Sequence, residues 1–248
     1  MDLVALSDVA ATLGLGVDAG HHHVAIVGGG GKTTLVHALG RQLGGRRVLT
    51  CTTKMGHDQH RGLPLLLDPT DDEVVVASEV GAVMVWHGVE GHKALGVEPE
   101  ACDRWFELVD HVLIEADGSR RRPFKAPAGY EPVVPSTATL MMSVIGADAL
   151  GGLISEVCHR PEIVADLTGA GIESRLDPEL AATVLLHERG ARRELPSGAQ
   201  LTVVVTKVTD ASQAPVEALI GALGAQEPEL RTLAIESYLI EAEQGRPR

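Results

Sequence analysis

The run Gly28-Gly29-Gly30-Gly31-Lys32-Thr33-Thr34 holds the residue types that grip a phosphate chain. Glycines let the backbone turn sharply and bring N–H groups close to a ligand. A lysine at this place supplies a point charge for the β/γ-phosphates, and the hydroxyl after it is placed to ligate Mg²⁺. The apolar run Val24-Ala25-Ile26-Val27 comes before the glycines and reads as a buried strand. After them, Leu35, Val36, Ala38, Leu39 and Leu43 recur on one helical face, and Gly44-Gly45 forms a stop. A strand, a glycine turn and a helix start are what a phosphate-binding loop needs, because the helix N-terminus adds unpaired donors and a partial positive charge. The usual spacing G-x-x-x-x-G-K-[ST] would put glycine where Ile26 stands, so this is a short variant. It is closer to the GGxGKTT form of one P-loop branch, with Val27 where that form carries a second lysine.

A second stretch, Val109 to Ser119, runs an apolar strand into Glu115-Ala116-Asp117-Gly118. Acids at the end of a strand beside a phosphate loop hold Mg²⁺ or polarise water. The expected catalytic set is therefore Lys32, Glu115 and Asp117. Lys32 neutralises developing charge, Thr33 with Asp117 positions Mg²⁺, and Glu115 orients or deprotonates water. Arg120-Arg121-Arg122-Pro123-Phe124-Lys125 follows at once and reverses the local sign of charge, which suggests an anion site. Two further strand ends carry cations, Lys54 after Thr52-Thr53 and Lys207 after Thr206. The second resembles the N-K-x-D base-reading motif, with Thr206 in place of Asn and Asp210 one residue late, so guanine specificity does not follow from it. The expected nucleotide contacts are Gly28, Gly29, Gly30, Gly31, Lys32, Thr33, Thr34, Lys54, Arg120, Lys207 and Asp210, with ATP or GTP and Mg²⁺ as ligands.

These residues need elements to position them. The chain has 248 residues, enough for one α/β domain with a sizeable core. No apolar run approaches the ~18 residues of a membrane span. The acidic N-terminus is unlike a signal peptide, so the chain reads as cytoplasmic. A net charge of −13 disfavours nonspecific nucleic-acid binding. Cys51, Cys102 and Cys158 are odd in number and far apart, which gives neither a disulfide framework nor metal-finger spacing. His57 and His60 lack a third ligand nearby, and His21-His22-His23 reads as a solvated loop.

Apolar spacing predicts a short helix over Leu3–Leu13 and strands over Arg47–Met55, Ala82–Trp86, Thr139–Ile145, Leu201–Asp210 and Leu230–Ile235. Leu63–Leu67 reads as a short apolar segment. Pro99 opens a helix to about Leu108, Pro161 opens another, and Asp177-Pro178 caps a third. Ala214–Leu223 is the last helix. Alternating strands and helices imply a three-layer, doubly wound, mostly parallel sheet of the P-loop NTPase-like kind. The whole of 1–248 is read as one nucleotide-binding domain, with an N-terminal helix and lead-in over 1–20 and a disordered tail over 241–248. The glycine loop, the two acids, Lys54 and Lys207 all follow strands, so they should meet on one edge of that sheet.

Val27-Gly-Gly-Gly-Gly-Lys-Thr-Thr34, Thr52-Thr-Lys-Met55, Glu115-Ala-Asp-Gly-Ser-Arg120 with Lys125-Ala-Pro127, and Gly146-Ala-Asp-Ala-Leu-Gly151 with His159-Arg-Pro161 together resemble the YqeC family. That family is associated with selenium-dependent molybdenum hydroxylases and selenium cofactor biosynthesis. The resemblance implies a P-loop fold and an accessory role, with a hydroxylase or its maturation factors as partners. Three activities fit it. The first is Mg²⁺-dependent nucleoside triphosphate hydrolysis in hydroxylase maturation. The second is an ATP-dependent transferase or ligase whose anionic substrate meets Arg120–Lys125. The third is a nucleotide-dependent chaperone or selenium carrier, using Cys51 or His57 and His60.

Overall fold

The computed structural model describes residues 1–15 and 20–237. The expected tail over 241–248 and residues 16–19 of the lead-in lie outside the described residues. Nine strands form one sheet: β1 Leu3–Val4, β2 His22–Gly28, β3 Arg47–Cys51, β4 Leu65–Leu67, β5 Ala82–Trp86, β6 His111–Glu115, β7 Leu140–Gly146, β8 Gln200–Val208 and β9 Arg231–Glu236. Their order is β1-β9-β8-β7-β2-β6-β3-β5-β4, and each neighbouring pair is parallel.

Alternation along the central strands sends side chains to two faces. Val24, Ile26, Leu49 and Leu113 pack with α1 (Val9–Leu13) and α2 (Lys32–Gln42) through Leu13, Leu35 and Leu39. Ala25, Val27, Val48 and Ile114 face the other way, onto α3 (Asp71–Ser78) and α4 (Pro99–Phe106) through Val74 and Trp105. The remainder of that second face, Ile145, Val203 and Val205, is covered by α5 (Ile154–Val157), α6 (Pro161–Thr168), α7 (Pro178–Leu186) and α8 (Gln213–Gln226). The result is the three-layer α/β arrangement that the alternating pattern implies.

Register then sets the height of the site. Ile26 pairs with Glu115 and Glu115 with Cys51, while Gly28 pairs with Val144 and Gly146 with Thr206. The ends of β2, β6, β7 and β8 therefore reach one rim together.

Three local expectations are corrected. Leu3 and Val4 are not the start of a helix; they pair with Ala234 and Ile235 as an edge strand, and helix α1 begins only at Val9. His22 and His23 are not in a solvated loop; they lie buried inside β2. The third concerns β3, which stops at Cys51, short of the Met55 expected. Met55–Gly56 belongs instead to a small antiparallel sheet with Gly88–Glu90 and Lys93–Leu95. Helix α3 was not signalled by apolar periodicity. Its start is a capping box, in which Glu73 N–H donates to Thr70 Oγ1 at 3.3 Å and Thr70 N–H to Glu73 Oε2 at 2.8 Å.

Candidate functional site

Beyond β2 the chain makes a turn that only glycines can make. Gly28, Gly30 and Gly31 have φ of 95°, 84° and 127°. A methyl group on Gly28 would lie 2.3 Å from Val144 O, and one on Gly30 would lie 2.3 Å from Gly146 N. The loop is thus clamped against the backbone of β7 and, at Gly29, against the Arg122–Phe124 segment.

Its donors divide into two groups. Gly28 N–H donates to Asp117 Oδ2 at 2.9 Å and Gly29 N–H to Val144 O at 2.8 Å, so both serve the fold. Helix α2 starts at Gly31 with no side-chain cap, and among the described residues no acceptor meets the N–H groups from Gly30 to Thr34. Such donors at a helix N-terminus suit an anion, because the dipole there also favours negative charge.

Lys32 is buried, and its ammonium is held from three sides. It donates to Gly28 O at 2.7 Å, lies 3.2 Å from Asp117 Oδ1 and 3.8 Å from Glu115 Oε1. Burial disfavours its charge, but Asp117 and Glu115 outweigh burial and hold its pKa above the ordinary lysine value. The two acids play different parts. Glu115, the last residue of β6, accepts the Thr33 hydroxyl at 2.6 Å on Oε2 and lines the cleft. Asp117, past the strand end, is buried behind Lys32. It also pairs with Lys125 at 3.0 Å. Its Oδ1 contact with Lys32 is an ion pair without hydrogen-bond geometry.

Lys125 continues the network. It donates to Gly118 O and to Glu131 Oε2, each at 2.7 Å, and Arg160 meets the same Glu131 oxygen at 2.7 Å. The strand pair Phe124–Lys125 with Cys158–His159 brings these distant residues together. Thr206 Oγ1 donates to Gly30 O, tying β8 to the loop. Threonine here, where the base-reading motif has asparagine, still fixes the glycine turn.

A cleft of about 880 Å³ opens over the loop. The structure brings Gly30, Gly31, Lys32, Thr33, Thr34 and Glu115 to its wall, together with Lys54, Arg120 and Lys207. Gly28, Gly29 and Asp117 stand behind that wall. Asp210 lies on the exposed 3-10 turn after β8, away from the residues lining the cleft. Lys54 pairs with Glu90 and Lys207 with Asp148, each at 2.8 Å. Thr52 Oγ1 is committed to Val133 O at 2.6 Å. Residues that sequence reasoning passed over also line the cleft, among them Glu131 and Tyr130, and Asp58 and Arg61 after the small antiparallel sheet strand Met55–Gly56.

Cys51 is fully buried, and burial together with Glu115 pushes its thiol far above the ordinary range. His57 and His60 fall on a 3-10 turn, His57 against His92 and His60 against Trp86. Among the described residues, no group of three or more His, Cys, Asp or Glu is arranged to hold a metal ion.

A parallel sheet with helices on both faces, and a glycine turn leading into a lysine-headed helix at its centre, define a class: the P-loop NTPase-like α/β proteins. Within that class the chain belongs to the YqeC family. The family model "YqeC protein" matches residues 24–162, which include the glycine loop, both acids and Arg160. Uncharacterized protein YqeC of Escherichia coli (strain K12) is 30% identical over 214 residues, covering 83% of each chain. No solved structure matches. No helix among the described residues is long and apolar enough to cross a membrane.

Proposed function

We propose that this protein binds ATP or GTP with Mg²⁺ and hydrolyses it, acting in the cytoplasm as an accessory factor in the maturation of a selenium- or molybdenum-dependent hydroxylase. One observation carries the nucleotide reading. The open N–H groups from Gly30 to Thr34, the Lys32 ammonium and the Thr33–Glu115 oxygen pair all converge on one cleft. The hydroxylase link rests on membership of the family.

The side chains suit the roles. Thr33 Oγ1 and Glu115 Oε2 are hard oxygens 2.6 Å apart, the donor chemistry that Mg²⁺ takes, and they would hold it. When bound, the ion would neutralise charge on the phosphate oxygens. Glu115 is the one of the two acids that reaches the cleft, so orienting an attacking water also falls to it. Asp117 is a positioning residue. It accepts from Gly28 N–H and pairs with Lys32, holding loop and lysine in one geometry. Lys32 then meets the charge that develops on the transferred phosphoryl group.

The test is nucleotide binding by calorimetry beside phosphate release. Lys32→Ala should lose both, and Glu115→Gln should retain affinity within a few-fold while losing turnover at least about 100-fold. A Lys32→Ala protein with undiminished affinity and turnover would refute the reading. For the hydroxylase link, a strain lacking this protein should show lowered hydroxylase activity.

A further inference from the structure

We infer that the arginine-lined end of the cleft binds a second substrate carrying a phosphate or carboxylate group, beside the nucleotide. The inference rests on the nucleotide reading only for the word "second"; the oxyanion site stands on its own residues.

Charge distribution comes first. The chain carries a net −13, yet among the described residues eight lysines and arginines line this cleft against three acids. Half of those cations are answered: Lys32 by Asp117, Lys54 by Glu90, Lys207 by Asp148 and Arg160 by Glu131. Arg120 and Arg121 are exposed at the cleft and, among the described residues, meet no carboxylate within ion-pair distance.

Backbone geometry marks the same residues, though it also marks Arg61 and Lys207 on the same cleft wall. Arg120, Arg121 and Arg160 have φ of 49°, 62° and 62°. Few non-glycine residues adopt this region. Such strain costs about 1–3 kcal/mol per residue and gathers where a ligand is clamped. Four arginines of the cleft share it, Arg61, Arg120, Arg121 and Arg160.

Arg160 is also built in place. Nη1 donates to Glu131 Oε2 at 2.7 Å, Nη2 to Tyr130 Oη at 3.2 Å, and the guanidinium lies 5.6 Å from the Tyr130 ring centroid. Glu131 is fixed in turn by Lys125 at 2.7 Å. His159, beside Lys125 in the strand pair, reports the local field. Burial and the positive charges of Arg160, Lys125 and Arg120 hold its pKa down at about 4. An anion placed there relieves that repulsion, and guanidinium forks match phosphate and carboxylate oxygens.

Position separates this end from the Lys207 end of the cleft. Lys207 lies near the end of β8, on one side of β2, whereas Arg120 and Arg121 follow β6 on the other. A cleft of about 880 Å³ is near the top of the usual range for small-molecule sites.

The experiment loads the full-length protein with Mg²⁺ and a non-hydrolysable nucleotide triphosphate analogue. It is then titrated with inorganic phosphate and, separately, with citrate. The wild type should bind at least one of them saturably. Arg121→Gln and Arg160→Gln should each weaken that binding at least tenfold while changing nucleotide affinity less than threefold. Tighter phosphate binding assigns a phosphoryl-bearing substrate, and tighter citrate binding a carboxylic acid. Arg121 is exposed, so its variant tests the site even if Arg160→Gln does not fold. Absence of binding by both anions, or equal binding in the wild type and Arg121→Gln, overturns the inference. Arginine-dependent anion binding in a protein that takes no nucleotide would overturn the nucleotide reading and leave this site standing.

Discussion

Lys32 and Lys125 share one carboxylate. Asp117 lies 3.2 Å from Lys32 Nζ through Oδ1 and 3.0 Å from Lys125 Nζ through Oδ2, and all three side chains are buried. From Lys125 the contacts pass to Glu131 and then to Arg160, so charges alternate from the glycine loop to the arginine end of the cleft. In a low-dielectric interior such a chain holds only while each charge keeps its partners.

Asp117 is therefore the acid whose loss should damage the fold most. Asp117→Ala would take an ion-pair partner from two buried ammonium groups and leave the Gly28 N–H without its acceptor. Breaking a buried pair on one side costs about 3–5 kcal/mol. For a chain of this size that lowers the melting temperature by on the order of 10 °C. Glu115→Gln keeps a hydrogen-bond acceptor for Thr33 and should melt within a few degrees of the wild type, while losing phosphate release. Thermal melts of the two variants check this; equal melting temperatures would mean that Asp117 is not the centre of the network.

The glycines should not be equivalent. Alanine at Gly28 or Gly30 would drive a methyl group into backbone atoms 2.3 Å away, in strands that cannot shift. At Gly31 the nearest contact for the same methyl is the Thr206 side chain, at 3.6 Å, so only the unusual φ of 127° opposes it. We expect Gly28→Ala and Gly30→Ala to give little folded protein. Gly31→Ala should fold, with a penalty of about 1–3 kcal/mol and weakened nucleotide binding. Denaturant midpoints and soluble yield separate the three.

The thiols should be silent in the folded chain. Cys51, Cys102 and Cys158 are all buried, and burial pushes the Cys158 thiol up to about 12 and the other two further. The thiolate is the reactive form, so an aromatic disulfide reagent at pH 8 should label none of them until denaturant is added. Cys51→Ser should leave nucleotide binding unchanged. Rapid labelling of one cysteine in the native protein would restore a thiol carrier to consideration.

What the sequence makes legible is local. The glycine turn, the lysine after it and the paired acids at a strand end are each specified within a dozen residues, and the apolar alternation of β2 and β6 sets their register. Proline-opened helices at Pro99, Pro161 and Pro178 are read from single residues. The parts that stay hidden depend on distant partners. Glu131 meets Arg160 across 29 residues, and Thr206 reaches Gly30 across 176. No spacing rule announces either contact. Which acid faces the cleft was also hidden, because β6 ends at Glu115 and alternation no longer governs Asp117. The histidines of β2 misled for a different reason. Their polarity suggests solvent, but His22 stacks on His111 with ring centroids 5.1 Å apart and His23 lies 4.9 Å from Phe106, so the rings pack as aromatic core.

Those same histidines make stability depend on pH. Burial holds His23 and His111 at about 4 and lowers His22 as well. Around His23, Asp103 and the Thr137 backbone work against burial, while His22 and Arg47 reinforce the shift at His111 against Asp110. A folded-state pKa below the unfolded value of 6.5 means that the folded protein binds fewer protons between those limits. The stability held above pH 6.5 should then fall as pH drops toward 4 and level off below it. With about 1.4 kcal/mol per pKa unit, each of the two should contribute on the order of 1–2 kcal/mol of loss by pH 5. Replacing His111 with glutamine removes one titrating ring and should flatten the curve by about that amount. Denaturant unfolding at pH 7.5, 6 and 5 measures it, and parallel pH profiles for wild type and His111→Gln would show that the stacked pair is not the source.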